Sequence, residues 1–500
     1  MTRRLILASL LTASVLGSSV VHAATITVPS GEPDLAAALA LAQPGDTVQL
    51  APGTYYEHDL ILPPGITLVG LGDGPESVVL DAGHAGRILL CEGLEQTSTL
   101  RNLTFLNGRA EGSNSYDRSG GAILCSNSTL SIVDCNFIMN EADSHGGALR
   151  CNNSSPTLVR CTFVGNQAGG GGGAIDASYN SSPLLQDCTL RNNSAEWGGG
   201  LSCRADSSPQ LEDCHFDGNS AAGDVGLGGA VLADTESRPD FFEVTFSENT
   251  ARYGGALIAL TASETNLTHC TVVSNTSSEA GGGIYLQDAS PQITATLINF
   301  NSGTGLSTAG AADPVIHCTN IFGNDNGDWV GDIADQTDLT GNLSVDPFFI
   351  TQERFNEFQY HLAADSPLVL TESECGLLGA KPATNIPLGT DPPPEPETDP
   401  DPLPGPVRTD LGDVTAWPNP FNPQTAIHFD LGEPQRVRVE IYNLQGARLR
   451  VLADGPLASG PHSLTWDGTD AAGRSLGSGT FLFVVVGQVD RQVRKVTLLK

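Results

Sequence analysis

Lysine is almost missing from this chain. Of 500 residues only Lys381, Lys495 and Lys500 are lysines, and 24 Lys and Arg stand against 57 Asp and Glu, for a net charge of −33. Phosphate backbones and anionic bilayers must be met by clustered cations, so nucleic acid and anionic membrane are poor partners for so acidic a chain. Long apolar runs are scarce as well. After residue 21 no stretch is long and apolar enough to span a bilayer as a helix, so no transmembrane segment is expected in the mature chain. Cysteine is absent before Cys91 and after Cys375. The eleven in between are an odd number, which leaves at least one thiol without an intramolecular partner.

What is present begins with an export signal. Arg3 and Arg4 precede an apolar stretch over residues 5–21, and Val21, His22 and Ala23 fit a small-residue cleavage site. This predicts a signal peptide over residues 1–23 and a secreted chain, in which disulfides can form. Charge divides the remainder. Residues 24–389 hold 43 acids and 12 bases, residues 390–407 five acids and no base, and residues 408–500 nine acids and ten bases. Residues 390–406 include eight prolines. They predict an extended linker, roughly 50 Å long at about 3.1 Å per residue.

Between the signal and the linker the chain repeats. Gly-Gly doublets begin at Gly120, Gly146, Gly172, Gly198, Gly228, Gly254 and Gly281, at intervals of 26, 26, 26, 30, 26 and 27 residues. A fixed period of this size means stacked structural repeats. Each copy carries Gly-Gly-Ala-Ile-x-Cys or a variant, a polar turn with a short strand, and Cys-x-Phe-x-x-Asn. Apolar residues alternate within each part, the period of a half-buried strand. Three short strands per repeat predict one coil of a right-handed parallel β-helix. Asn140, Asn166, Asn193, Asn219, Asn249, Asn275 and Asn301 share one position and predict a hydrogen-bonded amide ladder. Residues 34–42 read as a short helix that caps the open N-terminal end of the stack. From residue 408 a different alternation, with strands such as AIHFDL, RVRVEIYN and TFLFVVVG, predicts a small Ig-like β-sandwich. The fold class is therefore all-β, with the β-helix over 24–389, the linker over 390–407 and the sandwich over 408–500.

Most recurrent residues have a structural reading. Cys125, Cys151 and Cys203 alternate with Ala177 and Ala233 at one position. Cys135, Cys161, Cys188, Cys214 and Cys270 share another with Val244, so both sets read as small buried side chains, mostly free thiols. Arg150 with Asp176, and Arg204 with Asp234, occupy equivalent outward positions on successive coils and read as lateral ion pairs worth about 0.2–1 kcal/mol each. The Gly-rich run over residues 169–175 lacks the Lys-Ser/Thr ending of a phosphate loop. Asp325, Asp328 and Asp332, with Asp335 and Asp338, form an acidic cluster whose one chemical reading is calcium, and no other cofactor is expected. Their spacing matches no EF-hand loop, and a solvated loop is the plainer reading. The non-repeating candidates are His145, Trp197 and Tyr253, just ahead of the Gly pair on alternate coils. Spaced roughly 10 Å apart, they predict a carbohydrate-binding row along the coil axis.

The paired Gly-Gly-Ala-Ile and Phe-x-x-Asn signatures over residues 120–301 resemble the repeats of chlamydial polymorphic outer-membrane proteins and of bacterial pectin-lyase-like β-helix proteins. The polymorphic proteins end in an outer-membrane barrel that this chain does not show, so their export route does not carry over. GNLSVDPFF, YHLAADSPLV and ECGLLGA resemble the closing segment of exported bacterial β-helix proteins. Those often carry Cys soon after Ser-Pro. Here Leu368 follows Pro367, which implies that Cys375 lacks its usual partner. WPNPFNPQTAIHFDL, VEIYNLQGARLRVL and HSLTWDGTDAAGRSLGSGTFLFVV resemble the Ig-like domain of the flagellar hook-capping protein and the C-terminal sorting domain of type IX secretion cargo. The ending at Arg494, Lys495 and Val496 is similar to such sorting tails. This resemblance implies secretion machinery as a partner of the C-terminal domain, and a location outside the cell or on the outer-membrane surface of a Gram-negative-type bacterium.

The expected function is a secreted, surface-associated protein for adhesion, glycan binding or structural support, meeting an extracellular glycan or a host or neighbouring surface. The alternative is a polysaccharide-active enzyme, a lyase or hydrolase. That chemistry needs paired carboxylates or a cationic base in one groove, and no such cluster stands out.

Overall fold

In the computed structural model each of the six repeats from Gly120 to Ala280 makes one coil of four strands, one more than the periodicity reveals. The coil that starts at the first Gly pair runs through Ile123–Ser126, Leu130–Val133, Asn136–Ile138 and Glu141–Ala142. Among the described residues the stacked coils form four parallel sheets, numbered I to IV in that order, of ten, twelve, eleven and seven strands. The fourth escaped the sequence because most of its strands are two residues long. Period-two alternation cannot show in Glu141–Ala142, Gln167–Ala168 or Ser194–Ala195. The structure describes residues 23–29, 35–337 and 341–349, short stretches between 360 and 380, and most of 414–498. The signal sequence up to residue 22 and the linker at 390–407 lie outside the described residues.

Register is kept through sheets I to III because each coil buries the same rows; in sheet IV it shifts once, between Ala251 and Tyr253. Ile123, Leu149, Ile175 and Leu201 pair in sheet I, and Phe105, Phe137 and Phe163 in sheet III. The three rings stack face to face at centroid distances of 4.9 and 4.5 Å. Burying each Phe or Leu stabilises the fold by about 1.5–3 kcal/mol, and a one-residue slip would turn a whole row outward. At the corner after sheet III, Asn193 accepts from Asn166 N and Nδ2 at 2.9 Å and donates to Asn219 Oδ1 at 2.9 Å. The same pattern runs from Asn140 to Asn301 and one step further, to Asn324.

The Gly pair makes the turn into sheet I. Gly172 has φ +70, and a Cβ there would lie 2.1 Å from the Ile175 carbonyl oxygen; one on Gly173 would lie 2.2 Å from the Gly199 oxygen of the next coil. Only glycine fits both sites. The tight turn folds back over sheet I. Leu124, Leu232 and Ile258 point away from the interior yet are fully covered.

Both ends of the stack are closed. The helix Leu35–Leu41 buries Leu35, Ala38 and Leu39 against the coil interior. Its free N–H groups at Leu35 and Ala36 donate to the Glu57 carboxylate at 3.0 and 2.9 Å. At the other end the 3-10 turn Gly331–Gln336 sets Ile333 into the coil interior, with Trp329 packed on the same core, and Phe349, Leu362, Leu368 and Leu378 cover the outer face of sheet III at Val273 and Leu297. This closing segment is tied by a disulfide between Cys318 and Cys375, Cα atoms 5.5 Å apart. Cys375 therefore has a partner, though not the usual one after Ser-Pro, which this chain lacks. The bridge is made from the last decaying coil rather than from the Ser-Pro segment. The other nine cysteines are free and buried. Burial pushes Cys135 and Cys270 up to about 12, so these thiols stay protonated.

The C-terminal strands form two antiparallel sheets, of three and four strands, around Trp466, Phe481 and Phe483. Tyr442 and Val484 from the four-stranded sheet pack on Val79, Leu106 and Ile138 of sheet III.

Candidate functional site

The residues four positions ahead of each sheet I strand form one row on the outside of the turn: Ser119, His145, Gly171, Trp197, Leu227, Tyr253 and Ala280. Backbone bridges join Gly171 to Trp197, Trp197 to Leu227 and Leu227 to Tyr253, so these are neighbours on successive coils. His145, Trp197 and Tyr253 are half-buried. The row is there, but its spacing is not the uniform 10 Å expected from the backbone. Gly171 leaves a gap on the coil between His145 and Trp197, and the two rings lean across it to a centroid distance of 6.2 Å. Tyr253 packs on Tyr285 at 5.4 Å instead, with the Arg252 guanidinium 5.5 Å over its ring.

Beneath His145 and Trp197 lies a charge cluster on the covered outer face of sheet I. Arg150 pairs with Asp176 on the next coil, as register demands. The pair is not the exposed one expected, since Asp176 is fully buried. Arg204 also departs from expectation. Its backbone neighbour one coil on is Asp234, but its guanidinium turns back and binds Asp176 Oδ1 at 3.1 Å. A long side chain reaches the preceding coil easily, and a desolvated carboxylate is a stronger attractor than a solvated one. Ser178 Oγ donates to the same carboxylate at 2.7 Å. Burial alone would raise the Asp176 pKa, yet Arg150, Arg204 and the Ser178 hydroxyl hold it below the usual carboxylate range.

Arg204 ties the cluster to the row above. Its guanidinium lies 5.5 Å from the Trp197 ring centre and 3.3 Å from His145 Nδ1. His145 Nδ1 accepts the Gly171 N–H at 3.0 Å, which places the proton of the neutral ring on Nε2. Burial, with Arg204, Arg150 and Arg118 nearby and only Asp176 opposing, pushes His145 down to about 4. Three guanidiniums thus surround one imidazole and one carboxylate, in a chain that is otherwise strongly acidic. Arg118 Nε and Arg204 Nε are buried without hydrogen-bond partners among the described residues. Arg118 was missed because it sits in an insertion, residues 111–119, outside the repeat.

The remaining candidates separate. Asp328 accepts Asn324 N and Nδ2 at 2.9 and 2.8 Å and so terminates the amide ladder. Asp332 accepts from Thr308 Oγ1 at 2.9 Å. Asp325 contributes its backbone N–H to Asn301 O at 3.1 Å. Among the described residues no three His, Cys, Asp or Glu side chains converge as a metal site.

Comparison with known proteins agrees with this architecture. Residues 94–250 and 170–297 match the family model of the right handed beta helix region, and residues 420–490 match that of the FlgD Ig-like domain. The coil is a right-handed parallel β-helix repeat, and the C-terminal strands are an Ig-like domain. No curated protein matches the chain. Among solved structures, dimeric latent PorU from Porphyromonas gingivalis is 23% identical over 19% of this chain and 10% of its own, with a TM-score of 0.16. A variant of the PL6 family alginate lyase AlyGC is 14% identical over 73% of this chain and 58% of its own, TM-score 0.33. The Azotobacter vinelandii mannuronan C-5 epimerase AlgE6 A-module is 12% identical over 63% and 94%, TM-score 0.27. The chain thus spans about a tenth of the first and somewhat over half of the second. At these identities the activities of those proteins stay with them.

Proposed function

We propose that this is a secreted β-helix protein, displayed at the cell surface, whose turn row binds a polysaccharide carrying acidic groups without transforming it. The observation that carries this reading is Trp197, half-exposed between His145 and Arg204 over a locked Arg150–Asp176–Arg204 floor. An aromatic ring offers a stacking face to a sugar, and a fixed guanidinium recognises a carboxylate or sulfate. The local surplus of positive charge, from Arg118, Arg150 and Arg204 around a single buried carboxylate, favours an acidic chain over a neutral one. Secretion and surface display rest on the N-terminal export signal and on the likeness of the C-terminal tail to sorting domains.

The same geometry argues against turnover. Asp176 is buried and its charge is held by two arginines, so it neither reaches a substrate nor has a proton to give. His145 has Nδ1 engaged by the backbone and a guanidinium along its edge, which makes it a weak base.

Affinity electrophoresis of the mature chain against neutral and acidic polysaccharides tests the reading. We expect retardation on at least one acidic polymer, weakened tenfold or more by Trp197→Ala with little change in melting temperature, and weakened also by Arg204→Met, which lowers the melting temperature because Asp176 loses a partner. Absence of retardation on every acidic polymer, or unchanged retardation in Trp197→Ala, removes the proposal. Release of reducing ends or unsaturated product from any polymer establishes the enzyme alternative instead.

A further inference from the structure

The regular coil interval is broken once near the N-terminal end. Leu89 pairs with Ile123, 34 residues on, where Ile123 pairs with Leu149 after 26. Most of the excess lies in residues 111–119, nine residues where the next coil turns in three. The insertion walls a cleft of about 570 Å³ lined by Asp59, His84, Arg87, Arg109, Glu111 and Asp117, with Ala85 and Ala110 its only apolar residues. That volume lies in the range of small-molecule sites, but the lining is almost wholly polar. The cleft adjoins the turn row: Ala85 stands four residues ahead of Leu89, as Ser119 and His145 stand ahead of Ile123 and Leu149.

Its cations are already engaged. Arg87 donates Nη2 to the Asp117 and Ser119 carbonyls at 2.7 and 2.9 Å and Nε to Gly120 O at 3.1 Å, which fastens the insertion down as a rigid wall. Arg109 is held by Glu111, by Glu141 at 2.6 Å and by Asp143 at 3.6 Å. The groups with capacity to spare are carboxylate oxygens. Asp59 shares one oxygen with His58 Nδ1 at 2.8 Å and is two-thirds exposed, and Asp117 takes Asn114 Nδ2 at 2.7 Å on Oδ2 alone. A rigid cleft lined by no Trp, Tyr or Phe, with acceptors on two walls, suits a ring that donates several hydroxyl hydrogens. It repels a ring that brings its own carboxylate.

From this geometry we infer that the cleft is a second binding site, for a sugar ring without an acidic group. It is distinct in chemistry from the guanidinium-rich row and does not depend on it. The two lie about 19 Å apart along the axis, four coil spacings from Ala85 to Trp197. A mono- or disaccharide cannot bridge them, which separates the two sites experimentally.

Saturation-transfer NMR and calorimetry on the full mature chain, with neutral methyl hexopyranosides and disaccharides as probes and glucuronic acid as comparator, test the inference. At least one neutral probe should saturate, with glucuronic acid binding tenfold more weakly or not at all. Asp59→Ala and Asp117→Asn should each weaken the neutral probe severalfold, and Trp197→Ala should leave it unchanged. Gly86→Ala is the steric counterpart, because its Cβ would stand 2.7 Å from both the Asp59 carboxylate and His58 Nδ1. It should also weaken binding, with the melting temperature as a check on folding. No saturation by any neutral probe, glucuronic acid binding as well as the neutral sugars, or wild-type affinity in Asp59→Ala and Gly86→Ala overturns the site.

Discussion

Two rows run along this coil, one inside the corner after sheet III and one outside the turn into sheet I. The inner row is the same residue throughout, Asn140 to Asn324, each amide satisfied by its neighbours and closed to water. The outer row is Ser, His, Gly, Trp, Leu, Tyr and Ala, on the same backbone geometry and the same stack. Uniformity inside follows from the bonding, since the amide oxygen accepts from one coil while the amide nitrogen donates to the next. No such demand acts on the outer row, so its chemistry varies from coil to coil. The difference teaches where to look in a repeat fold: periodic residues hold the stack, and the aperiodic ones on a periodic frame are available for recognition.

The comparison can be broken first at the inner row. Asn193→Ala removes an acceptor of two hydrogen bonds and a donor of two more, to Phe163 O and Asn219 Oδ1. It strands the partner groups in a dry interior, at about 1–3 kcal/mol for each. A loss of about 5 kcal/mol is expected in urea unfolding. A loss as small as that of a surface substitution would mean that the ladder is decoration.

The next test falls on the layer between the rows. Asp176→Ala leaves Arg150 and Arg204 without their shared carboxylate under the covered face of sheet I. Breaking a buried pair of this kind costs about 3 kcal/mol, whereas an exposed pair is worth about 1 kcal/mol or less. Circular dichroism melts of Asp176→Ala beside Asp134→Ala, whose ion pair with Arg160 is on the surface, should separate the two classes. Equal, small shifts would return the cluster to the lateral surface pair that strand register alone implies.

How much of this was legible follows from the same contrast. Whatever repeats in register could be read directly: the aliphatic, Phe and Asn rows, the Gly turn and the coil itself. The ladder's last member was hidden because Asn324 follows Asn301 by 23 residues rather than 26. The fourth strand was hidden by its length. The pairing of Cys318 with Cys375 joins positions 57 apart across a decayed period, where no local pattern survives. At the site, strand register placed Arg150 opposite Asp176 correctly. It misplaced Arg204, because register fixes Cα positions and not where a long side chain finds its carboxylate. The lean of His145 toward Trp197 depends on the missing side chain of Gly171, which spacing along a row does not weigh. The cleft was visible only as one long interval ahead of the first Gly pair.

The smallest effect expected concerns the outer row itself. His145 is held down to about 4, against about 6.5 for an unfolded chain. As pH falls below 6.5 the unfolded state takes up this proton first, so stability is full above about pH 7, declines between 6.5 and 4, and loses nothing further from this group below 4. Because His145 is only half-buried, the loss is about 1–2 kcal/mol rather than the full value of the shift. Asp176 does not add to this window, since its depressed pKa confines its own loss to lower pH. Urea midpoints at pH 7.5, 5.5 and 4.5 for the wild type and His145→Gln measure the term. The wild type should weaken more steeply with acid, the two curves converging toward pH 4.5. Parallel curves would mean that the imidazole is as solvated as in the unfolded chain. The outer row would then be a loose surface rather than a fixed one, and the ring beside Trp197 would carry no preformed geometry for a ligand.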